Sequence, residues 1–170
     1  MGAELYGDDS PAADVEIVRL MLETLEVAEV RGVTLDLGHV GVYEAVLAAA
    51  ELDEGLERTV FDALQRKSVP DLEAALAGVT AQTAQMIIAL AGLHGDDAVL
   101  ARARELYAGF APEALQALDA LTELAAELRR SRPQLDIYFD LAELRGYHYH
   151  TGLVFAAYAP GHGQALANGG

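Results

Sequence analysis

Residues 145–150 read Arg-Gly-Tyr-His-Tyr-His. The run combines a fixed cation, a backbone-permissive glycine, two phenols and two imidazoles, and no apolar core needs such a set. The arginine presents a planar fork of donors, and each phenol both donates and accepts. In an extended run, alternate side chains share a face. Arg145, Tyr147 and Tyr149 would then face one way and His148 and His150 the other, so that one face offers a small polar ligand a cationic fork and hydroxyls. The His-x-His pair, with His162 as a third ligand, is a metal-site pattern of modest specificity. A real site also needs supporting carboxylates, and only Asp140 and Glu143 are near in sequence. Imidazoles lining a pocket or hydrogen-bonding within a sheet are the plainer reading, and neither a metal nor another cofactor is expected.

The elements that position this run are legible on both sides. Leu135, Ile137 and Phe139 alternate with Asp136, Tyr138 and Asp140, the period of two of a half-buried strand. A second strand is predicted from about Thr151 to Tyr158, apolar at both parities as in a strand covered on both faces. Upstream, Val33, Leu35 and Leu37 alternate with Thr34, Asp36 and Gly38, and His39 stands at a strand-to-helix turn, where a capping role is expected. Gly2–Gly7 is short and strand-like, and Glu4 within it reads as a solvated strand glutamate.

Helix signals fill the remainder. Ser10-Pro11 opens a helix that ends near Glu29. Asp53, Ser68, Thr80, Asp96 and Ala111-Pro112 open others between about Gly41 and Arg130. No motif returns at a fixed period, so a helical repeat is rejected. Strands segregated from a helical block indicate an α+β fold. The chain starts and stops abruptly, at Gly2–Gly7 and at Ala167-Asn168-Gly169-Gly170, which reads as one segment of a longer protein. The terminal glycines would let a ligand approach the backbone, or form an ordinary turn.

At 170 residues the chain is one domain's worth, and 52% apolar composition supports a sizeable core. The absence of cysteine excludes disulfides and thiolate metal sites and suits a cytoplasmic protein. With 27 acidic against 11 basic residues, the formal charge is −16, a poor footing for nucleic-acid binding. The basic cluster Arg129-Arg130-Ser131-Arg132 reads as a cationic helix C-terminus. No apolar run is long enough to suggest a membrane span, and no signal peptide is visible.

Arg145-Gly146-x-x-Tyr149-x-Thr151-Gly152-x-Val154-Phe155 resembles the histidine-binding signature of the histidyl-tRNA synthetase family. Ala167-x-Gly169-Gly170 is similar to the start of the family's glycine-rich closing strand. Gly2-x-Glu4-x-Tyr6-Gly7 is similar to the strand after its second class II motif, and the block at about 41–130 to its helical insertion. Three separated motifs in register make the resemblance specific. It implies a class II aminoacyl-tRNA synthetase-like antiparallel sheet with a helical insertion, the whole chain being part of one core domain.

The departures are informative. Tyr147 and His148 replace the family's Leu-Asp, His150 stands at its second tyrosine, and Ala156 stands where a Glu is usual. This pattern is more similar to a non-charging branch of the family, regulatory subunits required by the short-form ATP phosphoribosyltransferase catalytic subunit at the first step of histidine biosynthesis. That branch implies no catalytic residue here, a hetero-oligomeric partner, and histidine feedback. The alternative is a segment of a genuine histidyl-tRNA synthetase. The resemblance also implies a histidine pocket. Glu4 would meet the ligand's ammonium, Arg145 a phosphate or carboxylate, and Tyr149 the amino acid. Tyr147 and His150 would lie in the wall, with Gly169 and Gly170 at the floor.

Overall fold

In a computed structural model, which describes residues 2–8, 10–145, 147, 149 and 151–170, seven helices and five strands follow one another along the chain. They are α1 (Pro11–Val27), β1 (Thr34–His39), α2 (Val40–Ala50), α3 (Glu54–Gln65), α4 (Val69–Ala75), α5 (Ala81–Ala91), β2 (His94–Gly95), α6 (Ala98–Tyr107), α7 (Ala114–Ser131), β3 (Asp136–Asp140), β4 (Leu153–Tyr158) and β5 (Ala167–Gly169).

Most helices begin where a side chain can satisfy an orphan backbone N–H. Asp53 Oδ1 accepts from the N–H groups of Gly55 and Leu56 at 2.9 and 3.0 Å. Thr80 Oγ1 accepts from Thr83 N at 3.3 Å, and Ser68 Oγ from Asp71 N at 3.4 Å. His39 caps α2, its Nδ1 accepting from Gly41 N at 3.0 Å, the role expected of it. Ser10 stands at the N-cap of α1 before Pro11, but its hydroxyl makes no cap bond. Instead its own N–H donates to Asp8 Oδ1 at 2.9 Å. Helix α7 starts at Ala114, so Pro112 lies in the turn before it and not in its first turn.

The sheet runs β2-β3-β1-β4-β5. All pairs are antiparallel except β1 with β3. Those two are joined through the long helical block, and a parallel pair requires such a crossover. Leu35 and Leu37 of β1 are fully buried, and with Ile137, Phe139 and Phe155 they meet the helical layer. Leu118, Leu121 and Leu128 of α7 are fully buried in that same core. The opposite face carries the row Tyr138, Asp36, Ala156, Asn168 across four strands. No described helix is long and apolar enough to cross a membrane.

Two expectations need correction. Gly2–Gly7 forms no strand, because no sheet strand pairs with it and a lone strand has no ladder to hold it. The described residues of the stretch before β4 are also not in a strand. Those up to Gly152 lie in turns and bends, and β4 begins at Leu153. Arg145, Tyr147 and Tyr149 therefore do not share a face, and the expected pairing of His148 with His150 lies outside the described residues.

Candidate functional site

The site grows from a glycine in a strand interior. A Cβ on Gly38 would stand 2.8 Å from the carbonyl oxygen of Asp140, 3.0 Å from Val154 Cγ2 and 3.1 Å from Glu143 Cβ. Only a residue without a side chain lets the turn after β3 lie this close to β1. That turn is fixed by Leu141 N–H donating to the Leu93 carbonyl at 3.0 Å and Glu143 N–H to the Asp140 carbonyl at 3.2 Å.

The turn delivers two acids to a third. The carboxylates of Asp36, Asp140 and Glu143 lie within 4.8 Å of one another. Asp140 is buried, accepts from Ala142 N at 3.1 Å and is ion-paired with Lys67 from the turn after α3. Glu143 is gripped by Arg145. The Arg145 backbone N–H reaches Glu143 Oε1 at 2.8 Å, Nε reaches both oxygens at 3.0 Å, and Nη2 reaches Oε2 at 2.5 Å. Arg145 Nη2 also donates to the hydroxyl of Tyr158 at 2.7 Å. Asp36 Oδ1 is buried and has no hydrogen-bond partner among the described residues.

These surroundings set the protonation states. Burial, then the negative charges of Asp140 and Glu143, push the Asp36 carboxyl up to about 6, against the opposing pull of Lys67 and Arg145. Burial works to raise Glu143 as well, but the hydrogen bonds and charge of Arg145 hold it below the usual range. The Glu143 hydrogen bond raises Arg145 further above its ordinary value, so it remains a cation. The cavity beside them, about 70 Å³, is lined by Asp36, Glu143, Arg145, Phe155, Asn168 and Gly169 among others. It has room for a functional group or a couple of waters. Three clustered acids can in principle hold a cation, but Lys67 and Arg145 already neutralise two of them.

Of the expected pocket residues, Arg145 and Gly169 come together here. Gly169 has a local reason to be glycine, because the Phe155 ring occupies the place of its Cβ, 2.5 Å from Cζ. Gly170 is exposed at the chain end. Tyr147 packs instead against Tyr43 and Phe61, with ring centroids 5.2 and 5.3 Å away. Tyr149 is 90% exposed. Glu4 is exposed and accepts a hydrogen bond from the hydroxyl of Tyr6. Gly146, His148 and His150 lie outside the described residues, and His162 is exposed in a turn. Sequence reasoning missed Asp36, Lys67 and Tyr158 as site residues and named Asp140 and Glu143 only as neighbours of a metal site. The glycine inside the β1 pattern was the available signal of a close approach.

The basic cluster at the end of α7 is a set of surface ion pairs. Arg129 meets Asp97 at 2.7 Å, Arg130 meets Glu127 at 2.5 Å and Arg132 meets Glu26 at 2.9 Å.

Comparison with known proteins gives a consistent set of relatives. The family model described as histidyl-tRNA synthetase matches residues 1–170. A protein of Pseudomonas aeruginosa (strain LESB58) named ATP phosphoribosyltransferase regulatory subunit is 52% identical over all 170 residues. The chain spans 43% of that relative's length. A Bacillus halodurans structure, described as an ATP phosphoribosyltransferase regulatory subunit/histidyl-tRNA synthetase, matches 95% of this chain and 43% of its own with TM-score 0.82 at 25% identity. The ATP phosphoribosyl transferase (HisG:HisZ) complex from Thermotoga maritima shares the fold. Its match has TM-score 0.72 at 20% identity and covers 95% of this chain and 56% of that one.

Proposed function

The chain belongs to the histidyl-tRNA synthetase family, and from that premise we propose that it is part of a non-catalytic regulatory subunit of ATP phosphoribosyltransferase, which carries out the first step of histidine biosynthesis. The observation that carries this reading is 52% identity, along the whole chain, to a protein of that name. The arrangement of Arg145 agrees with it. A guanidinium committed to Glu143 and Tyr158 is poorly placed to stabilise a reacting phosphate.

On this reading the full-length protein sits in the cytoplasm and associates with the short-form catalytic subunit, and residues 41–130 are an insertion within its core domain. It charges no tRNA. Histidine binds on the open face of the sheet, beside the cavity that Arg145 and Gly169 line, with its carboxylate held by the rest of the full-length protein and not by Arg145. It acts by linkage, shifting the balance between assembly states through its differential affinity for them.

The test uses the full-length protein. Mixing it with the catalytic subunit should switch on phosphoribosyl transfer, and histidine should suppress that activity. The protein alone should show no histidine-dependent exchange of pyrophosphate into ATP. Robust exchange would overturn the reading in favour of a genuine synthetase, the alternative that the family description keeps in view.

A further inference from the structure

We propose that Glu143 is a built-in counter-ion that occupies the anion-binding edges of Arg145, so that this face of the sheet turns away anionic ligand groups. A guanidinium captures a carboxylate or phosphate through one of two donor pairs, Nε with Nη2 or Nη1 with Nη2. Both pairs are compromised here. Nε and Nη2 reach the two Glu143 oxygens at 2.5–3.0 Å, in the geometry an incoming carboxylate would adopt. Nη2 also donates to the Tyr158 hydroxyl at 2.7 Å. Among the described residues Nη1 alone is left for a ligand, which supports no bidentate grip.

The acid is the fixed member of the pair. The Glu143 side chain is 15% exposed against 57% for Arg145. The carboxylate is further held by the Arg145 backbone N–H at 2.8 Å. Gly38 admits the turn that carries it, since a Cβ there would stand 3.1 Å from Glu143 Cβ. The charge balance points the same way. Lys67 is spent on Asp140 and Arg145 on Glu143, leaving Asp36 without a cation of its own among the described residues. An anionic group entering the cavity meets no free positive charge among the described residues. A cationic or hydrogen-donating group meets Asp36. Glu143 is therefore a specificity-determining residue, and its role rests on these contacts independently of the regulatory reading.

The probe is pyrophosphate, titrated calorimetrically at low ionic strength into full-length wild type, Glu143→Gln, Glu143→Ala and Tyr158→Phe. Glu143→Gln keeps the shape of the side chain and removes its charge. It should bind pyrophosphate at least about tenfold more tightly than wild type, a change of about 1.4 kcal/mol. Tyr158→Phe should give a smaller gain, because it frees one donor and no charge. Adding Arg145→Ala to Glu143→Gln should abolish the gain. Thermal unfolding identifies any variant that fails to fold, and Tyr158→Phe, a single-hydroxyl deletion, then still reports. Equal affinity in wild type and the folded variants, no binding by any of them, or a gain that survives Arg145→Ala would each overturn the proposal. Activation of the catalytic subunit by wild type is a separate measurement, so the two ideas fail separately.

Discussion

Gly38 and Asp140 are neighbours across β1 and the end of β3, and the space between them is already used up. A Cβ on Gly38 would stand 2.8 Å from the Asp140 carbonyl oxygen. The contact is with backbone, which cannot swing aside as the tip of a side chain can. The turn carrying Glu143 would have to lift, and with it the carboxylate that holds Arg145.

Gly38→Ala should therefore cost stability, by about 1–3 kcal/mol, the usual range for forcing extra atoms into a packed site. Urea unfolding of the full-length protein checks it. Gly109→Ala is the control, since nothing lies within 4 Å of a Cβ there. That change should be neutral or slightly stabilising. Equal losses at both positions would mean that the close approach at Gly38 carries no energetic weight.

The Lys67–Asp140 pair gives a second prediction. Lys67 adopts a φ of 50°, a left-handed conformation that costs a non-glycine residue about 1 kcal/mol or more. Its ammonium meets a carboxylate that is only 5% exposed. Lys67→Met leaves that acid buried and unpaired and should destabilise by about 3 kcal/mol. Lys67→Met with Asp140→Asn should recover part of the loss, giving a coupling of about 1–3 kcal/mol in a double-mutant cycle. Additive losses would show that the pair contributes nothing as a pair.

This pair also shows where sequence reading stops. Helix starts at Asp53, Ser68 and Thr80 were legible because each cap acts over two or three residues. The β1 and β3 alternations were legible because one face of each is fully buried. Lys67 and Asp140 stand 73 positions apart, and no local pattern announces such a contact. Asp36 read as an ordinary polar position of an alternating strand, and only the turn brought over Gly38 makes it part of a site. The run from Arg145 was misread for the opposite reason. Its composition marks it as functional, but composition does not carry backbone geometry, and its described side chains scatter to three places. Arg145 joins Glu143, Tyr147 joins Tyr43 and Phe61, and Tyr149 stays in solvent. Gly2–Gly7 reads as short and strand-like, yet a strand-like stretch without a pairing strand does not make a sheet.

Tyr147 and Tyr149 should accordingly behave differently although both occupy the same short motif. Tyr147 makes edge contacts with Tyr43 at 5.2 Å and tilted contacts with Phe61 at 5.3 Å. Tyr147→Ala should cost about 2 kcal/mol through lost burial and ring contacts. Tyr149→Ala should change stability by less than about 0.5 kcal/mol, as surface substitutions do. Unfolding midpoints of the two variants decide it. A larger loss at Tyr149 would mean that its exposed position is not the one it holds in the full-length protein.

The pH dependence of stability should carry the mark of Asp36. Its carboxyl is pushed up to about 6 by burial and by Asp140 and Glu143, from an ordinary value of 3.8. A group that holds its proton more tightly in the folded state favours folding at low pH. That contribution is complete below about pH 4 and is lost as pH rises through 6. Above that, the folded protein carries an ionised Asp36 at a site that disfavours it. Asp36→Asn removes the titration and keeps the shape. The variant should match wild type in its dependence on nearby groups below pH 4. It should then become relatively more stable between pH 4 and 6, reaching a plateau of no more than about 2 kcal/mol once solvent screening at this partly open site is allowed for. The measurement is the difference in unfolding free energy between the two proteins, taken from urea titrations at pH 4, 5, 6 and 7. A difference that stays flat across that window would show that Asp36 titrates normally and that the three carboxylates do not share their burden in the way their spacing implies.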